Sequence, residues 1–124
     1  MEPRRVLIVD DHPQFADTLG QVLTDHGAQV KRANGYDSAI ALLQAETFDA
    51  LITDFKMGDH DGVELVRAAR QLVPNLPAVV ITGDARGAEI AINCELGLLA
   101  VLPKPVPFRR LLAVLETTVP AQSR

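Results

Sequence analysis

Two spacings of apolar residues alternate along the chain. Residues 5–10 (RVLIVD) form a short, continuous apolar run that ends in charge, the pattern of a strand covered on both faces. Phe15, Leu19, Val22 and Leu23 then fall at helical spacing, and Gly27 is placed to stop that helix. Residues 28–33 (AQVKRA) read as a more polar strand. Its Lys31 and Arg32 suit the edge of a sheet, where charge discourages stray pairing. A second helix is predicted from about Tyr36 to Ala45, and Ala50, Leu51 and Ile52 lead into a third strand ending at Thr53 and Asp54. The third helix runs from about Asp61 to Leu72 with Leu65, Val66, Ala69 and Leu72 inward, and Pro74 and Pro77 punctuate its end. Residues 78–82 (AVVIT) give a fourth strand, residues 86–95 a weakly amphipathic helix, and residues 98–102 a fifth strand. Phe108, Leu111, Leu112, Leu115 and Val119 make the stripe of a last helix.

Five strands alternating with five helices predict an α/β fold, a doubly wound five-stranded parallel sheet with helices on both faces. In such open sheets ligands sit beyond the carboxyl ends of the strands, and the reactive side chains of this sequence collect there. The first strand ends in Asp10 and Asp11, the third in Asp54 and the fourth in Thr82, and Lys104-Pro105 follows the fifth. Neighbouring strand residues point to opposite faces, so Asp10 and Asp11 converge only where the chain leaves the sheet, which Pro13 favours. Adjacent carboxylates repel. With Asp54 three would meet, and a hard divalent cation with oxygen ligands and retained water, Mg²⁺ above all, suits such a group. Lys104 adds a mobile positive charge and Thr82 a hydroxyl donor. A carboxylate nucleophile in that company makes a phosphoryl-transfer site, where metal and donors offset charge on the equatorial oxygens.

Composition narrows the setting. At 124 residues the chain is the size of one domain, expected over 1–124 with its core at about 4–119 and a tail at 120–124. Hydrophobic residues make up 48% of it, too many for a disordered chain. No apolar run approaches the roughly 18 residues of a membrane span. The run after MEPRRV is too short for a signal peptide, so a cytoplasmic protein is expected. A net charge of −4, few aromatics and no Lys/Arg block argue against direct nucleic-acid binding. Cys94 is the single cysteine, so no internal disulfide is possible, and it reads as a small buried hydrophobe.

Five motifs occur in order, each at a strand end or helix start: VDD after the first strand, TDFKM around Asp54, Asp61-Gly62 opening the third helix, ITGD closing the fourth strand, and PKP after the fifth. With them the chain resembles a response-regulator receiver domain of two-component signalling, from Val6 to about Val119. The resemblance implies a flavodoxin-like strand order 2-1-3-4-5. Asp54 would be the phospho-acceptor, supplied by a histidine on a sensor histidine kinase or histidine phosphotransfer protein. Mg²⁺ would be bound by Asp11 directly, by Asp10 through water, by Asp54, and by the backbone carbonyl of Lys56. Thr82 and Lys104 would bind the phosphoryl oxygens, and the peptide before Pro105 would be cis. Such a domain is a phosphorylation-controlled switch and not a turnover enzyme, its chemistry confined to its own phosphorylation and dephosphorylation. The KPVP start of the last helix is similar to receivers of hybrid histidine kinases. Two other readings stay open: a receiver-like module that binds a partner without phosphorylation, and an aspartyl-nucleophile phosphohydrolase. Against the second, the chain has neither an Asp-x-Asp pair on its first strand nor a cap insertion.

The sequence departs from that family pattern in places. Val101 stands where the family usually has Tyr or Phe, three residues before the lysine, so coupling through a ring is not available there. Gly58 replaces a frequent Pro and should loosen the loop from Met57 to Gly62. Lys56 and Asp84, of opposite charge, occupy variable positions flanking the acceptor and are expected to pair across the mouth of the site. His12 reads as a loop residue, because hard Mg²⁺ prefers oxygen. Asp61 reads as the cap of the third helix, with Glu64 at capping-box spacing. Ile90, Ala91 and Ile92 give the fourth helix an apolar outer side. The surface formed by residues 86–119 is therefore a candidate for self-association or an output partner.

Overall fold

The computed structural model describes residues 4–118, with the side chains of Thr117 and Thr118 excepted. The chain forms β1 (Arg5–Val9), α1 (Pro13–Asp25), β2 (Gln29–Ala33), α2 (Tyr36–Ala45), β3 (Ala50–Asp54), β4 (Lys56–Met57), β5 (His60–Asp61), α3 (Gly62–Leu72), β6 (Ala78–Thr82), α4 (Ala85–Ile92), β7 (Ala100–Pro103) and α5 (Phe108–Thr118). The main sheet has the order β2-β1-β3-β6-β7, and all its pairings are parallel. Counted along its five strands this is 2-1-3-4-5, the flavodoxin-like doubly wound order. Among the described residues no helix is long and apolar enough to cross a membrane.

Strand alternation sorts the core into two layers. Leu7, Val9, Leu51 and Val80 face α2, α3 and α4, through Ala39, Leu43, Val66, Ala69 and Ala91. Val6, Ile8, Ile52 and Ile81 face α1 and α5, through Leu19, Leu23, Leu111 and Leu115. Every residue of β3 and β6 is buried. This explains the apolar runs at residues 50–52 and 78–81, since a central strand covered on both sides has no wet face. β2 lies at the edge with Gln29, Lys31 and Arg32 exposed, and its charged side chains find partners in Asp17 and Glu46.

The boundaries differ from the sequence reading at several points. β1 stops at Val9, although the Asp10 amide still donates to the Ala33 carbonyl and extends the ladder by one bond. α4 ends at Ile92 and not at residue 95. Asn93 turns its side-chain amide back onto the Glu89 carbonyl, and Glu95 takes φ +62°, outside the helical region. β7 covers 100–103 and not 98–102. Leu72, read as inward, is 41% exposed in the last turn of α3. Ala91, read as outward, is buried, while Ile90 and Ile92 on either side of it are exposed. Cys94 is only half-buried, against the α2–α4 layer. Val119 and the tail at 120–124 lie outside the described residues.

The segment read as a loop between Met57 and Gly62 contains a hairpin, with Lys56 paired to Asp61 and Met57 to His60. Gly58 takes φ +61° at its turn, a conformation that suits a residue without Cβ. Two pairs are too few to leave a periodic signature in sequence. The hairpin runs directly into α3, whose capping box is complete. The Asp61 carboxylate accepts from the Glu64 amide, and the Glu64 carboxylate accepts from the Asp61 amide, both at 2.8 Å.

Candidate functional site

Strand register brings the reactive residues together. Val9 lies opposite Thr53, so Asp10 leaves β1 beside Asp54, the last residue of β3. Thr82 lies opposite Pro103, and the Lys104 amide donates to the Thr82 carbonyl at 3.2 Å, which carries Lys104 to the same end of the sheet. Pro13 starts α1 immediately after Asp10, Asp11 and His12. The chain therefore turns away from the sheet at once, and Asp11 reaches the surface while Asp10 stays inside.

Asp54 is 6% exposed and Asp10 is 3% exposed. Lys104 answers both, with Nζ 3.3 Å from Asp54 Oδ1 and 3.5 Å from Asp10 Oδ2. The same ammonium lies over the Phe15 ring, 4.7 Å from its centroid, so the ring steadies the lysine over the pocket. Burial pushes the Asp54 carboxyl above its usual value, the nearby charge of Asp10 pushes it further, and Lys104 opposes both. The lysine therefore offsets only part of the cost of holding negative charge here. Asp10 Oδ2 is buried with no hydrogen-bond partner. A buried carboxylate oxygen without a donor is costly, and it marks a place for a cation. Asp10, Asp11, His12 and Asp54 each offer one ligand atom, and these atoms all lie within 4.8 Å of one another. The donor set fits a divalent cation, and Asp10, Asp11 and Asp54 are the carboxylates that would hold it.

On the other side of Asp54 stand Thr82 and α4. The Thr82 hydroxyl is engaged with Asp84, accepting from its amide at 3.2 Å and contacting its carbonyl at 3.3 Å. Asp84 is the N-cap of α4, accepting from the amides of Arg86 and Gly87. Those two bonds, with Lys56 beside them, hold its carboxyl below the usual range. Lys56 Nζ lies 3.3 Å from Asp84 Oδ2, so these two opposite charges pair as expected. The Lys104–Pro105 peptide is cis. Val101 lines a cavity of about 240 Å³ between α4 and β7, shared with Thr82, Ala88 and Ile92.

Three neighbours were not singled out as site residues by sequence reasoning. Phe15 was visible only as part of a helical stripe. Its place in the first turn of α1, at the strand ends, was the available signal. Phe55 follows Asp54 and packs on α4, where a Cβ on Gly87 would meet both Phe55 Cδ2 and Thr82 Oγ1 at 2.8 Å. That close approach had no sequence signal. His12 is a loop residue as read, and its ring lies against the acidic cluster.

Comparison with known proteins gives a consistent family. The model of the response regulator receiver domain matches residues 6–116. A response regulator receiver protein of Anaeromyxobacter sp. strain Fw109-5 is 43% identical over 109 residues, covering 88% of this chain and 46% of that protein. The sensor histidine kinase RcsC of Salmonella typhimurium is 36% identical over 101 residues, covering 82% of this chain and 11% of the kinase. The chain thus spans less than half the length of these relatives. Among solved structures, a response regulator from Burkholderia pseudomallei with a phosphorylated aspartic acid, calcium ion and citrate superposes with a TM-score of 0.80. It is 31% identical, over 94% of this chain and 68% of that one.

Proposed function

The chain belongs to the response regulator receiver domain family, and from that premise we propose that it is a switch operated by phosphorylation of Asp54. The observation that carries the reading is a carboxylate buried at the end of a central strand, beside a second buried carboxylate and a lysine 3.3 Å away. The phosphorylated aspartic acid and calcium ion of the Burkholderia relative support it.

In this reading an Asp54 carboxylate oxygen attacks phosphorus, the phosphorus–nitrogen bond of a donor phosphohistidine breaks, and the imidazole leaves with its electron pair. Lys104, already on Asp54, compensates charge on the incoming phosphoryl oxygens. Thr82 turns its hydroxyl from Asp84 to another of those oxygens. Mg²⁺ bound by Asp10, Asp11, Asp54 and the Lys56 carbonyl would neutralise the remaining charge. The phosphorylated and unphosphorylated states then differ in what Thr82 and the neighbouring α4 contact, and a partner reads the difference. Phosphohistidine on a sensor kinase or phosphotransfer protein is the natural donor. In the test, such a protein carrying radiolabelled phosphohistidine is mixed with this chain. Label should pass to the wild type only with Mg²⁺ present, and Asp54→Asn should take none. Equal transfer to Asp54→Asn would overturn the reading.

The Lys56–Asp84 pair bridges the mouth through which a hydrolytic water would reach the acyl phosphate. Breaking it with Lys56→Ala should shorten the phosphoryl lifetime severalfold, measured as decay of labelled protein after donor removal. An unchanged decay rate would show that the pair is only a solvated surface contact.

A further inference from the structure

We propose that His12 supplies an imidazole ligand to the cation site, so that the site prefers a borderline first-row transition cation, with mixed nitrogen and oxygen ligation, over Mg²⁺. The proposal rests on reading the acidic pocket as a cation site. It adds a ligand to that site and changes which cation the site selects.

The position of the ring carries the argument. His12 occupies the N-cap of α1, where a side chain normally accepts from the helix amides, yet its side chain makes no capping bond. Its backbone amide instead donates to Asp10 Oδ1 at 2.8 Å. The ring folds back over the same carboxylates, with Nδ1 3.1 Å from Asp10 Oδ1 and 3.0 Å from Asp11 Oδ1. Adjacent ligands of an octahedral cation at about 2.1 Å are separated by about 3.0 Å. The nitrogen and each of the two oxygens are therefore spaced as neighbouring ligands of one ion. Asp10 Oδ2 on the same carboxylate is buried, accepts no hydrogen bond and meets the Lys104 ammonium at 3.5 Å, so it keeps the capacity to ligate a cation. The His12 side chain is 68% exposed, so the nitrogen stands at the open side of the pocket, where an ion enters from solvent.

The chemical consequence is selectivity. Mg²⁺ gains little from an imidazole, whereas Co²⁺, Ni²⁺ and Zn²⁺ gain much. A competing explanation is that Nδ1 carries a hydrogen and simply donates to the carboxylates. In that case its removal would shift all divalent cations alike.

The experiment is calorimetric titration of the whole, untagged chain with MgCl₂ and separately with NiCl₂, for wild type, His12→Gln and Asp10→Asn. Loss of an outer-shell partner alone costs metal sites about 10–100-fold in affinity. Losing a direct ligand should therefore weaken Ni²⁺ by at least about tenfold in His12→Gln, with Mg²⁺ affinity changed less than about twofold. A nickel-to-magnesium affinity ratio that His12→Gln leaves unchanged would overturn the proposal while leaving the cation site intact. If wild type binds neither ion, or Asp10→Asn binds both as wild type does, the cation-site reading fails and the proposal with it. His26→Gln or His60→Gln should leave Ni²⁺ affinity unaltered, and a loss there equal to that of His12→Gln would place the nickel elsewhere and overturn the assignment.

Discussion

Gly62→Ala should cost the fold about 2–3 kcal/mol, on the order of 10 °C in the unfolding midpoint, although the residue takes no part in the chemistry. A Cβ built on Gly62 meets the Asp54 carbonyl oxygen at 2.6 Å, the Phe55 Cα at 3.2 Å and the Thr53 Cγ2 at 3.2 Å. Two of these are backbone atoms of the central strand and its exit, so no rotamer change relieves the clash. The Gly62 amide also donates to the Phe55 carbonyl at 2.7 Å, which ties α3 to the end of β3. Any relief must move Asp54 or open the hairpin, so the surviving folded protein should also phosphorylate slowly. Gly58→Ala is the matched comparison in the same hairpin. Nothing lies within 4 Å of a Cβ there, and only the φ of +61° is strained, so its cost should stay near 1 kcal/mol. Thermal unfolding of both variants checks the contrast. Equal midpoints would show that the close packing against Asp54 is not what requires a glycine at position 62.

The double substitution Asp10→Ala, Asp11→Ala should abolish phosphorylation and yet leave a folded protein that, without divalent cation, is at least as stable as wild type at neutral pH. The sign follows from Asp54. Its carboxyl is raised in the folded protein, by burial first and by Asp10 second. An acid raised on folding weakens the folded state above its folded pKa, where it must ionise in an unfavourable place. The penalty is absent below the ordinary value of 3.8, where Asp54 is protonated folded and unfolded alike. Deleting Asp10 removes part of the penalty, so the advantage of the variant should shrink as pH falls through that window. Added Mg²⁺ should raise the wild-type midpoint and leave the variant unmoved, since only a native state with a site is stabilised by its ligand. Denaturation from pH 7 to pH 3, with and without Mg²⁺, measures all three effects. A normal phosphorylation rate in the double variant would refute the role given to these carboxylates.

Most of the sheet was legible because its central strands are buried on both faces. Residues 50–52 and 78–81 are continuous apolar runs for that reason, and the polar residues that end them point to one edge in any parallel arrangement. Parallel strand order alone therefore brings Asp10, Asp54, Thr82 and Lys104 to one edge of the sheet. The parts that were missed depend on tertiary contact. The β4–β5 hairpin rests on two residue pairs and a glycine turn. The end of α4 depends on a local bond from Asn93 and a left-handed Glu95. Gly87 looks like a weak helix residue until Phe55 and Thr82 are found against it. His12 is the loop residue that ligand preference for Mg²⁺ suggests, but that argument says nothing about where the ring goes. The backbone bond from His12 to Asp10 decides that.

The central claim is that Asp54 accepts a phosphoryl group with the help of a cation held by its acidic neighbours. The most direct measurement is the mass of the intact chain after incubation with acetyl phosphate and Mg²⁺, followed by borohydride reduction and peptide mapping of the modified position. The predicted result is the gain of one phosphoryl group per chain, absent when the metal is chelated before the donor is added, with the reduced residue mapping to position 54. Incorporation that persists in Asp54→Asn at the wild-type level, or none at all in a folded wild type, would contradict it.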